Sequence, residues 1–142
     1  MRSWSLSLII LLLCAASAMA QHAITVTVHN VRNSNGVCNV ALYGRADGFL
    51  NPAKAIGGKI VKASKGIVST RFDNIPAGTY AIAVIHDENN DKQLNTNFLG
   101  IPKEGYGASN NNLPMTSAPK FASSSFVVAG ADKTLSINLK YY

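Results

Sequence analysis

The chain carries its apolar residues in short runs that alternate with polar ones, and this pattern restricts its fold more than any other feature. Ile24-Thr25-Val26-Thr27-Val28 places Ile24, Val26 and Val28 on one face of an extended strand. Residues 37–43 repeat the pattern with Cys38, Val40 and Leu42, and residues 134–141 with Leu135, Ile137, Leu139 and Tyr141. A period of two cannot make the apolar stripe of a helix, which recurs every three or four residues. Turn signals separate the runs. Asn33-Ser34-Asn35-Gly36 predicts a hairpin turn, because Asn-Gly tolerates positive φ. Ser64-Lys65-Gly66 joins strands expected at 59–63 and 67–72, and Asp73-Asn74-Ile75-Pro76-Ala77-Gly78 predicts another turn. Residues 79–85 are apolar on both faces, as a central strand should be. A final pair covers 124–128 and 134–141. Within the loop 44–58, Asn51-Pro52-Ala53-Lys54-Ala55 has the residues of a short helical turn. About seven short strands with frequent turns predict an all-β fold. The architecture expected is a single antiparallel β-sandwich, transthyretin-like or immunoglobulin-like, with one long loop after the central strand.

The first twenty residues stand apart. Arg2, an apolar run over 6–16 and the small residues of Ala18-Met19-Ala20 read as a secretory signal peptide cleaved after Ala20. The run is shorter than the ~20 residues that span a bilayer, and nothing later is long and apolar enough to do so. A lipoprotein signal at Cys14 is the rival reading, but Leu11-Leu12-Leu13 lack the small residues such a site prefers. Residues 21–142 have the size of one domain, and the expected location is periplasmic or secreted. Of the two cysteines only Cys38 lies beyond the signal, so the exported chain forms no internal disulfide. Cys38 shares its face with Val40 and Leu42 and reads as a small buried hydrophobe.

The net charge of +6 falls to +5 without Arg2. Four of the seven acidic residues, Asp87, Glu88, Asp91 and Glu104, fall in the long loop. Lys54, Lys59, Lys62, Lys65 and Arg71 form the densest basic group, so an acidic pole sits on a basic body. A basic exported domain can touch anionic envelope surfaces. No basic patch interleaved with stacking aromatics points to nucleic acid.

The acidic pole has an ordered pattern. Asp87, Asn89 and Asp91 take the 1, 3, 5 spacing of a calcium loop, with Gln93 at position 7, where a backbone carbonyl serves, and Asn95 at position 9. An EF-hand loop has Gly at position 6 and a bidentate Glu at position 12; this chain has Lys92 and Phe98. Glu104, or Glu88 through a different wrap, is the candidate for a third carboxylate, and Asn95 or Glu104 completes the shell. So few charges predict weak binding, on the order of 10⁻⁴–10⁻³ M. The competing reading is an Asx-rich turn whose side chains cap their own backbone. His86 ends the face formed by Tyr80, Ile82 and Val84 and reads as a packed histidine. It has no second histidine at ligand spacing, which argues against zinc. Tyr106, Asn110 and Asn111 have the side chains of an adaptable recognition loop on a rigid scaffold.

Three blocks together resemble a known exported bacterial family. They are Gly36-Val37-Cys38-Asn39-Val40-Ala41-Leu42-Tyr43, the stretch from Ile75-Pro76-Ala77-Gly78-Thr79-Tyr80-Ala81 to His86-Asp87-Glu88-Asn89, and Phe98-Leu99-Gly100-Ile101-Pro102-Lys103-Glu104-Gly105-Tyr106-Gly107-Ala108-Ser109-Asn110. The family is the one catalogued as domain of unknown function 2141. The resemblance implies a periplasmic or secreted β-sandwich with no established activity. Members often read Asn-Gly-Asn-Gly-Lys-Leu-Asp after His-Asp-Glu. Here Lys92 replaces a turn glycine and Asn95 replaces an acid.

The sequence therefore predicts a non-enzymatic envelope or accessory binding module with an Asn-rich loop and a weak calcium site. An envelope protein or glycan is the expected partner. Two other readings stay open. One is a hydrolase or lyase using His86 with Asp87 or Glu104. The other is an assembly protein that pairs through an open sheet edge.

Overall fold

The alternating residues meet in one core between two sheets. A computed structural model describes residues 19–142; the apolar run of the expected signal peptide and Cys14 lie outside the described residues. Eight strands follow in chain order: β1 (Gln21–Val31), β2 (Val37–Tyr43), β3 (Gly57–Lys62), β4 (Gly66–Pro76), β5 (Gly78–Asp87), β6 (Gly105–Ala108), β7 (Phe126–Val128) and β8 (Lys133–Asn138). One sheet has the order β4-β1-β8 and the other β3-β2-β5-β6, with β7 also paired to β5. Ile24, Val26 and Val28 of β1 pack in one cluster with Cys38, Val40 and Leu42 of β2 and Ile82 and Val84 of β5, all no more than 1% exposed. Each such side chain contributes roughly 1.5–3 kcal/mol by leaving water. Among the described residues no helix is long and apolar enough to cross a membrane.

Strand β5 is central. Its residues Ala81–Asp87 pair with β2, Ala83–His86 also meet β6, and Gly78–Tyr80 meet β7. Tyr80, Ile82, Val84 and His86 are buried on one face, whereas on the other Thr79 is exposed and Ala83 and Ile85 are half-buried. The helical turn expected near Pro52 is a 3₁₀ turn, Pro52–Lys54, capped by the Asn51 side chain accepting from Ala53 N–H.

Several local expectations change. The Asn33–Gly36 turn does not make a hairpin, because β1 and β2 lie in different sheets. It is an arch over the core. Turn residues specify a reversal of direction but not the sheet in which the next strand finds its partner. The turn expected over residues 73–78 is mostly strand: β4 runs to Pro76, and the left-handed Asn74 (φ 58) marks a bulge where the pairing steps from His22↔Ile75 to Ile24↔Phe72. The all-antiparallel pattern has one exception, since β8 runs parallel to β1. The crossing from β7 to β8 between sheets reverses the sense that a hairpin would have imposed.

The stretch expected to be one long loop contains β6 and a four-residue helix, α1 (Phe121–Ser124). Beyond β8 the chain leaves β1 and joins β6. Leu139 N–H donates to the His29 carbonyl, while Lys140 and Tyr106 exchange two backbone hydrogen bonds of 2.9 and 3.1 Å. The C-terminal segment thus joins the two sheets along one side.

Candidate functional site

The site begins where β5 leaves the sheet. Val37 pairs with Asp87, so the arch before β2 lies against the last residue of β5. Gly36 has φ +63, and a Cβ there would stand 1.9 Å from the Asp87 carbonyl oxygen. Only glycine fits both that conformation and that approach.

His86 is fully buried in this junction. Its Nε2 lies 2.8 Å from the Asn35 carbonyl, which can only accept, so Nε2 carries the proton. Nδ1 then accepts from the Tyr141 hydroxyl at 2.8 Å, and that hydroxyl accepts from Arg32 N–H at 3.2 Å. Both ring nitrogens are committed to structural partners. Glu88, just outside the sheet, receives a bidentate pair from Arg32 at 2.6 Å on each oxygen and a 2.8 Å bond from Asn33. The guanidinium holds the Glu88 carboxyl below its ordinary value and also stacks 4.6 Å from the Tyr141 ring centroid.

The calcium-spaced residues form a compact knot. Asp87 is buried, and its two oxygens accept from the N–H groups of Asp91 (3.1 Å) and Lys92 (2.7 Å). Glu104 is 4% exposed and reaches back across the loop, accepting from Glu88 N–H and Asn95 N–H at 3.0 Å each. Asp91 is exposed and accepts from Gln93 N–H and from the amides of Asn89 and Asn95. Those hydrogen bonds, chiefly from Asn95 and then Gln93, hold its carboxyl below the ordinary value. Asn90 and Lys92 both take left-handed backbone, φ 59 and 65. Lys92 therefore keeps the conformation for which a calcium loop uses glycine, at a cost of roughly 1–2 kcal/mol.

One carboxylate oxygen from each of Asp87, Asp91 and Glu104 lies within 4.8 Å of the other two. Among the described residues none of the three makes an ion pair, since the acids that do are Glu88, Asp73 and Asp132. Asp87 Oδ1, Asp91 Oδ1 and both Glu104 oxygens accept one hydrogen bond each and keep a second lone pair, whereas Asp91 Oδ2 already accepts two. Half a turn of the Asn89 or Asn95 amide presents an oxygen in place of its N–H groups. Such an oxygen-rich, partly buried cluster suits a hard divalent cation.

Of the six residues expected as ligands, Asp87, Asp91 and Glu104 converge, and Asn89 and Asn95 border them. Gln93 enters through its N–H. Phe98, at the twelfth position, is 95% exposed and contributes nothing to the cluster. Tyr106 lies on β6, stacked on Tyr142 with ring centroids 6.2 Å apart. Asn110 and Asn111 spend their side chains on backbone: Asn110 donates to the Ser123 and Ser125 carbonyls, and Asn111 donates to Ser136 O and accepts from Asn138 N–H. Burial pushes the Cys38 thiol up to about 11, so it stays protonated.

Sequence reasoning missed Arg32, Asn33 and Tyr141. The only advance signal was the Asn-Gly turn, which marks where the arch must come close to something.

Two packed sheets carrying a carboxylate-anchored loop at the end of the central strand define an all-β protein with a candidate cation-binding loop. The chain belongs to the bacterial family described as "Uncharacterized protein conserved in bacteria (DUF2141)", whose model matches residues 26–136. No curated protein and no solved structure matches it.

Proposed function

We propose that the protein is an exported, non-enzymatic accessory module of the cell envelope, whose loop after β5 is its binding element and is organised by calcium. The observation that carries this reading is the convergence of Asp87, Asp91 and Glu104 within 4.8 Å without an ion-pair partner among the described residues. Like charges so close repel, and a divalent cation converts that repulsion into attraction. The two ends of the loop meet there, so the cation would fasten residues 87–95 to Glu104. The expected signal peptide supports export, and the net charge of +5 that remains without Arg2 suits an anionic envelope.

Two observations favour this reading over its rivals. His86 has both nitrogens hydrogen-bonded inside the fold, so it is not free for the base role that the hydrolase or lyase reading gives it. The edge strand β3 carries Lys59 and Lys62, the kind of residue that discourages pairing with another sheet.

Thermal unfolding in calcium against chelator tests the proposal. Binding to the native state adds RT ln(1 + [L]/Kd), about 2.7 kcal/mol at a hundredfold excess over Kd. Millimolar calcium should raise the melting temperature, and Asp87→Ala should remove the rise. An identical melting temperature in calcium and chelator would sink the cation reading.

A further inference from the structure

Residues 95–103 form a finger that projects from the knot. Lys103 N–H donates to the Asn95 carbonyl, Thr96 bridges Pro102, and Asn97 N–H donates to the Ile101 carbonyl at 2.8 Å. At the tip, Gly100 N–H closes a turn on the Asn97 carbonyl. The Asn97 side-chain oxygen accepts from both Leu99 N–H and Ile101 N–H. The finger is therefore built, yet its apolar side chains point away from the core. Phe98 is 95% exposed, Leu99 68% and Ile101 39%. Contiguous exposed apolar side chains on a rigid support mark a contact surface.

We infer that this fingertip docks into the interface of an anionic phospholipid bilayer. The partner follows from the backbone and the charge. Every N–H from Asn97 to Lys103 except that of Phe98 donates within the finger, Pro102 having none, so the Phe98 N–H and the Phe98, Leu99 and Gly100 carbonyls are the backbone groups of the tip left to headgroups or water. A segment entering a bilayer must satisfy its own polar groups, because hydrocarbon offers no partners. Residues 93–102 hold no charged side chain, and the exposed Lys92 and Lys103 bound that stretch. Lysines beside an inserted apolar tip extend their stems and reach lipid phosphates. The acids at the base of the finger oppose the same surface, and calcium among them removes that opposition. In this respect the inference rests on the cation reading of the loop.

Co-sedimentation of the purified protein with vesicles tests it, using phosphatidylcholine alone and phosphatidylcholine with phosphatidylglycerol in equal parts. Wild type should bind the anionic vesicles in millimolar calcium. Phe98→Asp should weaken that binding at least tenfold with an unchanged melting temperature. Met115→Ser, at another exposed apolar residue (83%) outside the finger, should leave it unchanged and so control for binding by any other segment. Equal binding by wild type and Phe98→Asp, or no binding by either, overturns the inference. So does self-association that Phe98→Asp abolishes in a protein that ignores vesicles, which would assign the tip to a second copy. The two readings fail separately. Tip-dependent binding that chelator leaves intact supports docking and counts against calcium. A calcium-raised melting temperature without vesicle binding does the reverse.

Discussion

Two Asn-rich segments flank β6, and they are held by different chemistry. Residues 88–104 close on the carboxylates of Asp87, Asp91 and Glu104. Residues 109–125 close on neutral groups. The buried Ser109 hydroxyl accepts from Ile82 N–H at 2.9 Å and donates to the Ser124 carbonyl, while Asn110 and Asn111 clamp the backbone on either side. Both devices replace the repeating ladder of a sheet with side chains that bond backbone. They differ in what can perturb them. A carboxylate knot responds to protons and cations, whereas a knot of hydroxyls and amides responds to neither.

The largest test of the contrast acts beneath the charged segment. Gly36→Ala should destabilise by on the order of 3 kcal/mol or more, since it adds a left-handed backbone penalty to a clash with the Asp87 carbonyl. Denaturant melts measure this, and a loss below 1 kcal/mol would show that the arch can move aside. In the neutral segment, Ser109→Ala leaves the buried Ile82 N–H without its acceptor and should cost about 1–3 kcal/mol. That loss should be the same at neutral and at mildly acid pH; a loss that varies with pH would erase the distinction.

The smallest effect is the acid response itself. The Glu88 and Asp91 carboxyls titrate below their ordinary values in the folded protein. Their contribution is therefore present above the ordinary values of 4.5 and 3.8 and is lost as pH falls through the lower folded values. Glu88→Gln cannot titrate at that position, so its melting temperature should fall less steeply than wild type below pH 4.5. Parallel profiles would mean that the Arg32 pair adds no pH-dependent stability, as many half-exposed ion pairs do not.

Much of the fold was legible because strands announce themselves by period. The segment 37–43 coincides with β2, and the apolar run of β5 reads as central and is paired on both edges, with β2 and β6. Sheet membership was not legible. Asn33 to Gly36 form a turn as expected, but whether the next strand pairs with its predecessor depends on partners dozens of residues away. Strand β6 was hidden by its composition. Gly105 and Gly107 have low strand propensity, and both are small because the C-terminal segment lies on them. A Cβ on Gly105 would stand 2.3 Å from the Tyr141 ring, and one on Gly107 2.8 Å from Ile137. In the site, Asp87 and Asp91 were legible from local spacing and Glu104 from the scarcity of acids. Arg32 and Tyr141 were not, because they reach the site from opposite ends of the chain.

The parallel pairing of β1 with β8 has a kinetic meaning. Ala23 N–H donates to the Asp132 side chain, and the register that follows joins Ile24 to Lys133 and His29 to Asn138. The first strand can acquire its second neighbour only after the last strand has been made. Loop closure over more than a hundred residues is slow, so folding should fall in the millisecond-to-second range of non-local β proteins. Until that moment β1 presents an unsatisfied edge, and any partner holding the chain during synthesis or transport would find its best handle there.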